Sequence, residues 1–187
     1  MDILLVIALI GLVLAVYGIF IYNKLVSNRQ LVEEGWSGID VQLKRRANLI
    51  PNMLETVKAY MGHERETLQA VTDARAAVEN AGGAGPQQRG ALENMLSGAL
   101  GRLMAVAENY PDLKANTTFL EFQDMLRNVE NEIQMARRYY NGTVRNLNVM
   151  VESFPSNIVA RQFQFIQAEY FELENEADRD VPEVKFN

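Results

Sequence analysis

The chain has no cysteine and a single histidine, His63, among its 187 residues. The first absence excludes disulfides, thiolate zinc sites and cysteine nucleophiles. The second removes most metal chemistry, because zinc needs three or four converging ligands and a di-iron bundle needs two Glu-x-x-His pairs. His63-Glu64-Arg65-Glu66 therefore does not read as a metal site. There is also no nucleotide-binding loop, no G-x-S-x-G, no H-E-x-x-H and no EF-hand loop. The expectation is a protein with no cofactor, no metal and no catalytic residues, not an enzyme. A basic footprint is missing too, which argues against nucleic acid. The net charge is -6, and residues 23–80 balance eight basic against eight acidic side chains. The segment 156–187 holds three basic and seven acidic residues, so much of the acidity sits at that end.

The most informative absence is of charge itself. The twenty residues Ile3 to Tyr22 carry none. As a helix they span about 30 Å, the thickness of a bilayer's hydrocarbon core. A cleaved signal peptide would have a basic start and a small-x-small end. This segment starts after Met1-Asp2 and ends Ile21-Tyr22-Asn23-Lys24, as an uncleaved anchor would. The expected division is a transmembrane anchor over residues 1–22 and a helical-bundle domain over 23–187. Lys24 and Arg29 follow the span whereas Asp2 precedes it, so the positive-inside rule puts the domain in the cytoplasm and the short N-terminus outside. Ala8, Gly11, Ala15 and Gly18 share one face of the span, a pattern that lets helices approach closely in lipid and points to self-association.

The helical beat continues beyond the span. One seam runs Leu25, Val32, Trp36, Ile39, Leu43, Ile50, Met53, Val57 and Tyr60, then Val71, Ala74 and Val78, with polar interruptions at Arg29, Arg46, Glu64 and Thr67. Pro51 predicts a kink or short break near residues 48–52, with the unbroken apolar phase favouring a kink over a reversal. The basic run Lys44-Arg45-Arg46 lies about 33 Å beyond Tyr22 on a straight helix, too far for attraction to the bilayer through a Debye length of about 8 Å. A solvated face, or pairing with acidic residues on neighbouring helices, is expected instead.

Gly82-Gly83-Ala84-Gly85-Pro86 is the strongest turn. A second helix is predicted at about 87–109 and a third at about 116–153. A fourth, capped by Asn157, is predicted at about 158–174, followed by an extended docked tail at 181–187. The class is all-α: a transmembrane helix continuing into an antiparallel bundle of about four long helices. Glu130, Arg137, Asn141 and Asn148 fall along one edge of the third helix's apolar stripe, and Arg46, Asn48 and Asn52 flank Pro51. Linked together, they would form a structural polar network that fixes register; the alternative is a ligand or partner pocket.

These strings also make the chain resemble the LemA family. The matching pieces are Trp36-Ser37, VQLKRRANLIP from Val41 to Pro51, ENYPDLKAN from Glu108 to Asn116, Glu130 with Arg137, Tyr140-Asn141 and Phe154-Pro155. The resemblance implies a bacterial inner-membrane protein with one N-terminal anchor and a helical cytoplasmic domain. One branch of that family is associated with bacterial membrane organelles, and the family supplies no catalytic residues. Two functions fit. The first is a membrane-anchored, self-associating scaffold that organises partners or membrane at the cytoplasmic face. The second is an adaptor, monomeric or a small oligomer, that reads one envelope protein or ligand through the ENYPDLKAN turn and the acidic tail.

Overall fold

The computed structural model of the protein describes residues 3–172. Among them there are six helices and no strand: α1 (Ile3–Lys58), α2 (Arg65–Asn80), α3 (Pro86–Ala107), α4 (Pro111–Lys114), α5 (Thr117–Glu152) and α6 (Ser156–Gln162). The first part of α1 is long and apolar enough to cross a membrane, and none of that window is buried by protein. Thirteen Leu, Ile, Val and Phe side chains between Ile3 and Phe20 are exposed. Each such side chain left in water forgoes about 1.5–3 kcal/mol of burial, so roughly 20–40 kcal/mol is available to a bilayer that covers them.

Beyond Tyr22 the same helix becomes protein core. Leu25, Val32, Ile39, Leu43, Arg46, Ile50, Met53 and Val57 are buried. From Ile39 onward the spacing alternates four and three, the repeat of a packed helical seam. Arg46, which reads from sequence as an interruption, occupies a seam position. Met61 takes the place expected for Tyr60, which is exposed.

Pro51 does not break α1; the helix runs on to Lys58. Proline costs a helix roughly 3 kcal/mol, but Ile50, Met53 and Leu54 beside it are all buried, and that packing holds the segment helical. The chain reverses later, across residues 59–64. Tyr60 N and Met61 N both bond to Val57 O, at 3.0 and 2.8 Å, and Glu64 N bonds to Met61 O at 3.0 Å. The Arg75 Nε–H then donates to Ala47 O at 3.1 Å. In one continuous helix those residues would lie about 42 Å apart. The expected break near 48–52 is absent, and the helical seam expected to run on to Val78 is corrected to a reversal one turn past Val57. Apolar phase alone could not show this, because two antiparallel helices in one core carry the same periodicity.

The chain forms two compact units, to each of which α1 and α5 contribute. In the unit of residues 41–134 and 171–172, the core gathers Ile50, Met53, Val57, Met61, Val71, Val78, Leu96, Leu103, Leu113 and Phe119. Asn116 starts α5 by accepting the Phe119 N–H at 3.0 Å, an N-cap at the expected place.

In the unit of residues 3–40 and 135–170, α1 and α5 approach closely. A Cβ on Gly35 would lie 3.1 Å from the Tyr140 Cα, and the Trp36 and Tyr140 rings pack at a tilt with centroids 5.5 Å apart. The Phe154–Pro155 peptide is cis. The fourth helix is far shorter than predicted, ending at Gln162 instead of about 174. Gln164 takes a positive φ of 56°, and Phe165 N bonds back to Ala160 O at 2.9 Å, the six-to-one closure of a Schellman motif. Burial of Ala160 and Phe165 accompanies that stop. The aromatic-rich stretch after it serves as non-helical packing. The expected docked tail at 181–187 lies outside the described residues.

Candidate functional site

The most concentrated chemistry in the described residues is a buried cluster of charge. Arg46 on α1 is 2% exposed and Glu93 on α3 is 0% exposed. The Arg46 guanidinium donates through Nη2 to the Glu93 carboxylate and to Glu93 O at 3.2 Å. Its Nη1 donates to Glu130 Oε2 and to Ser97 Oγ, both at 3.0 Å. Arg89, one turn before Glu93, brings its Nε to 3.2 Å from Glu93 Oε1 and donates through Nη1 to Val78 O at 2.8 Å. Among the described residues, two guanidiniums therefore face two carboxylates. Lysine could not replace Arg46, because only a planar fork of donors reaches acceptors on two helices together.

Such a cluster offers little to a substrate. Arginine does not exchange protons in proteins, and the Arg46 fork is already engaged by Glu93, Ser97 and Glu130. Its physical consequence is register. Buried ion pairs add modest net stability, yet a buried charge that loses its partner costs about 3–5 kcal/mol. Sliding α1 by one turn against α3 would strand Arg46 and Glu93 together.

The structure brings together only part of the expected network. Arg46 and Glu130 meet, and Arg46 pairs with acidic residues of neighbouring helices. Asn48 and Asn52 are exposed on α1 and lie off the seam. Asn148 belongs to the other unit, where its side-chain amide donates to Ala168 O at 3.0 Å and accepts the Ala168 N–H at 2.8 Å, tying the segment after α6 to α5. Arg137 and Asn141 are half-buried in that same unit. Among the described residues the expected members fall in two compact units, with α5 supplying Glu130 to one and Asn148 to the other.

Glu93, Arg89 and Ser97 were not legible as site residues, although a signal exists. Arg89, Glu93, Leu96, Leu100, Leu103 and Ala107 are buried in steps of four and three. The apolar repeat of α3, continued toward its start, lands on two charged residues. A charge at a seam position calls for a partner across the interface.

The ENYPDLKAN turn is held by its own side chains. Tyr110 Oη donates to Glu64 Oε1 at 2.9 Å, Leu113 is buried, and Asn116 both caps α5 and donates to Tyr60 Oη at 3.0 Å. The Glu64 hydrogen bond, then burial and the Glu64 charge, push the Tyr110 phenol above its usual range. A motif spent on such ties specifies the loop between α3 and α5.

Tyr140 supplies a pH test. Its hydroxyl donates to Glu169 O at 2.8 Å, and burial, with a smaller contribution from the Glu169 charge, pushes its pKa up to about 12. An unfolded tyrosine titrates near pH 10. The folded state holds its proton longer, so this contribution is complete below pH 10 and is lost as pH rises toward 12. Tyr140→Phe is expected to be about 1 kcal/mol less stable than the parent below pH 10. The gap should close between pH 10 and 12 in thermal melts followed by circular dichroism. A gap constant across that window would refute the assignment.

Among the described residues, no three His, Asp or Glu side chains gather so that they could hold a metal ion. Of the small residues on the span, Ala8, Gly11 and Ala15 are exposed and Gly18 is half-buried. A Cβ on Gly11 would meet nothing within 4 Å.

Comparison with known proteins gives a coherent picture. A sequence model described as "LemA family" matches residues 35–186. The chain is 26% identical over 184 residues to Magnetosome protein MamQ 2 of Paramagnetospirillum magneticum, covering 86% of this chain and 68% of that relative. It is 27% identical over 167 residues to Protein LemA of Metamycoplasma hominis, covering 87% and 75%. It is also 24% identical over 184 residues to Magnetosome protein MamQ of Magnetospirillum gryphiswaldense, covering 86% and 68%.

Proposed function

The chain belongs to the LemA family, and from that premise we propose that it is a self-associating helical scaffold of the bacterial inner membrane, organising partners or membrane at the cytoplasmic face. It is a membrane-associated helical protein; the scaffold role is the reading advanced here. The observation that carries it is the open small-residue face of the span. Ala8, Gly11 and Ala15 are exposed on a helix whose large side chains are equally uncovered. In lipid a Leu gains nothing from meeting another Leu, whereas small residues admit a second backbone and its close van der Waals contacts. The buried Arg46–Glu93 pair, tied across helices, supports a structural role over catalysis. Similarity to magnetosome proteins supports work at a membrane. Lys24 and Arg29 after the span support a cytoplasmic domain.

The test is assembly size. Full-length protein in lipid nanodiscs should sediment as a discrete oligomer, and Gly11→Ile with Ala15→Ile should shift it toward monomer by at least about tenfold in dissociation constant, or about 1.4 kcal/mol. A parent protein that is monomeric in lipid would overturn the scaffold. A monomer that retains one stoichiometric partner after mild crosslinking would establish the adaptor instead.

A further inference from the structure

We propose that the turn from α5 through α6 is a second membrane contact, which inserts apolar side chains into the headgroup boundary of the bilayer that α1 spans. It rests on the reading of residues 3–22 as the span and adds a lipid-binding surface to it. The argument starts from four side chains. Phe154, Ile158, Phe163 and Ile166 are 79%, 62%, 57% and 79% exposed. They fall within thirteen residues around one short helix. In the same segment Ala160 and Phe165 are buried, so the chain had apolar packing available and left these four out of it. Large apolar groups exposed together mark a surface that meets something.

Position identifies what it meets. The Phe163 ring lies 4.7 Å from the ring of Tyr22, the last residue of the uncharged run. Phe165 packs on the same ring at 5.8 Å. Ile21 is only 7% exposed and Gly18 is half-buried, so protein reaches the final turn of the span. Asn28 Nδ2 donates to Met150 Sδ at 3.2 Å, and α5 then advances toward the membrane end of α1. If twenty residues cross about 30 Å of hydrocarbon, Tyr22 marks its boundary, and Phe163, packed against it, stands at the level that interfacial segments occupy. Lys24, Arg29 and Arg161 are exposed in the same unit, and the Arg29 guanidinium lies 5.3 Å from the Phe165 ring centroid. Basic heads over apolar stems suit lipid phosphates above and acyl chains below. The bilayer is therefore the occupant the geometry favours over a second copy of the chain.

The absence of cysteine makes the test direct. Single variants Ile158→Cys and Ile166→Cys, with Leu12→Cys in the span and Met135→Cys about 28 Å along α5 from Phe154, would each carry a fluorophore in full-length protein. The protein would be reconstituted in phosphatidylethanolamine–phosphatidylglycerol vesicles. Lipids carrying a nitroxide high on the acyl chain should quench the labels at 158 and 166 at least about threefold more than the label at 135, as shallow interfacial residues would be. Quenching at 158 and 166 no greater than at 135, with position 12 quenched by deep nitroxides, overturns the proposal and leaves the anchor intact. Labels at 158 and 166 shielded from water yet untouched by lipid quenchers overturn it in favour of a second copy. An unquenched position 12 overturns the anchor, and the proposal falls with it.

Discussion

Glu93→Ala is expected to cost the protein about 3–5 kcal/mol, because it removes the buried carboxylate that both Arg46 and Arg89 face. For a chain of this size, 1 kcal/mol is worth about 2–4 °C, so the melting temperature should fall by roughly 6–20 °C. Two further variants separate the charge from the packing. Glu93→Gln keeps the volume and an acceptor but removes the charge, and should recover less than half of the loss. Arg46→Met combined with Glu93→Leu replaces the central pair by apolar groups of similar size. It should cost less than Glu93→Ala alone, because well-packed apolar replacements of buried ion pairs are often near neutral. Additive effects of Arg46→Ala and Glu93→Ala in a double-mutant cycle would refute direct coupling, since residues in one network interact by about 0.5–3 kcal/mol.

Phe171→Ala should be comparably damaging, at about 3–5 kcal/mol. Phe171 is completely buried although it lies in a segment without regular structure. Its place depends on Gly90: a Cβ there would sit 2.5 Å from Glu172 O and 3.7 Å from the Phe171 ring. The segment thus lies directly against the α3 backbone where that helix has no side chain. Truncating Phe171 removes most of what that contact buries and leaves a cavity beside α3. Thermal melts give the loss, and hydrogen exchange should show faster opening of α3 around Gly90 than around Leu103. A loss under about 1 kcal/mol would mean that the site collapses without penalty.

Both predictions concern residues whose role sequence did not display. Glu93 sits on a helix whose apolar face was plain, but charge on a seam reads as an error in the pattern until a partner is found across the interface. Phe171 was placed on a long fourth helix, since its aromatic neighbours suit either a helix or a packed irregular strand of chain. The Schellman stop at Gln164 has no glycine to announce it. Pro51 did not end its helix: the local rule against proline within a helix is real, but burial on both sides outweighed it.

What the sequence determined by itself is whatever rests on composition and period. The uncharged run of Ile3 to Tyr22 dictated a helix long and apolar enough to cross a membrane. The recurrence of apolar side chains at three and four dictated an all-α fold, and the start of the third helix near Asn116 was legible. The tertiary structure alone decided where the chain reverses, which charges are buried and which aromatics remain outside. Helical period is the same whether a helix continues or folds back, and a charged or aromatic residue acquires its meaning only from the side chains set against it. Arg46 reads as an interruption until Glu93 and Glu130 lie beside it, and Phe163 reads as one more aromatic until it stands exposed beside Tyr22.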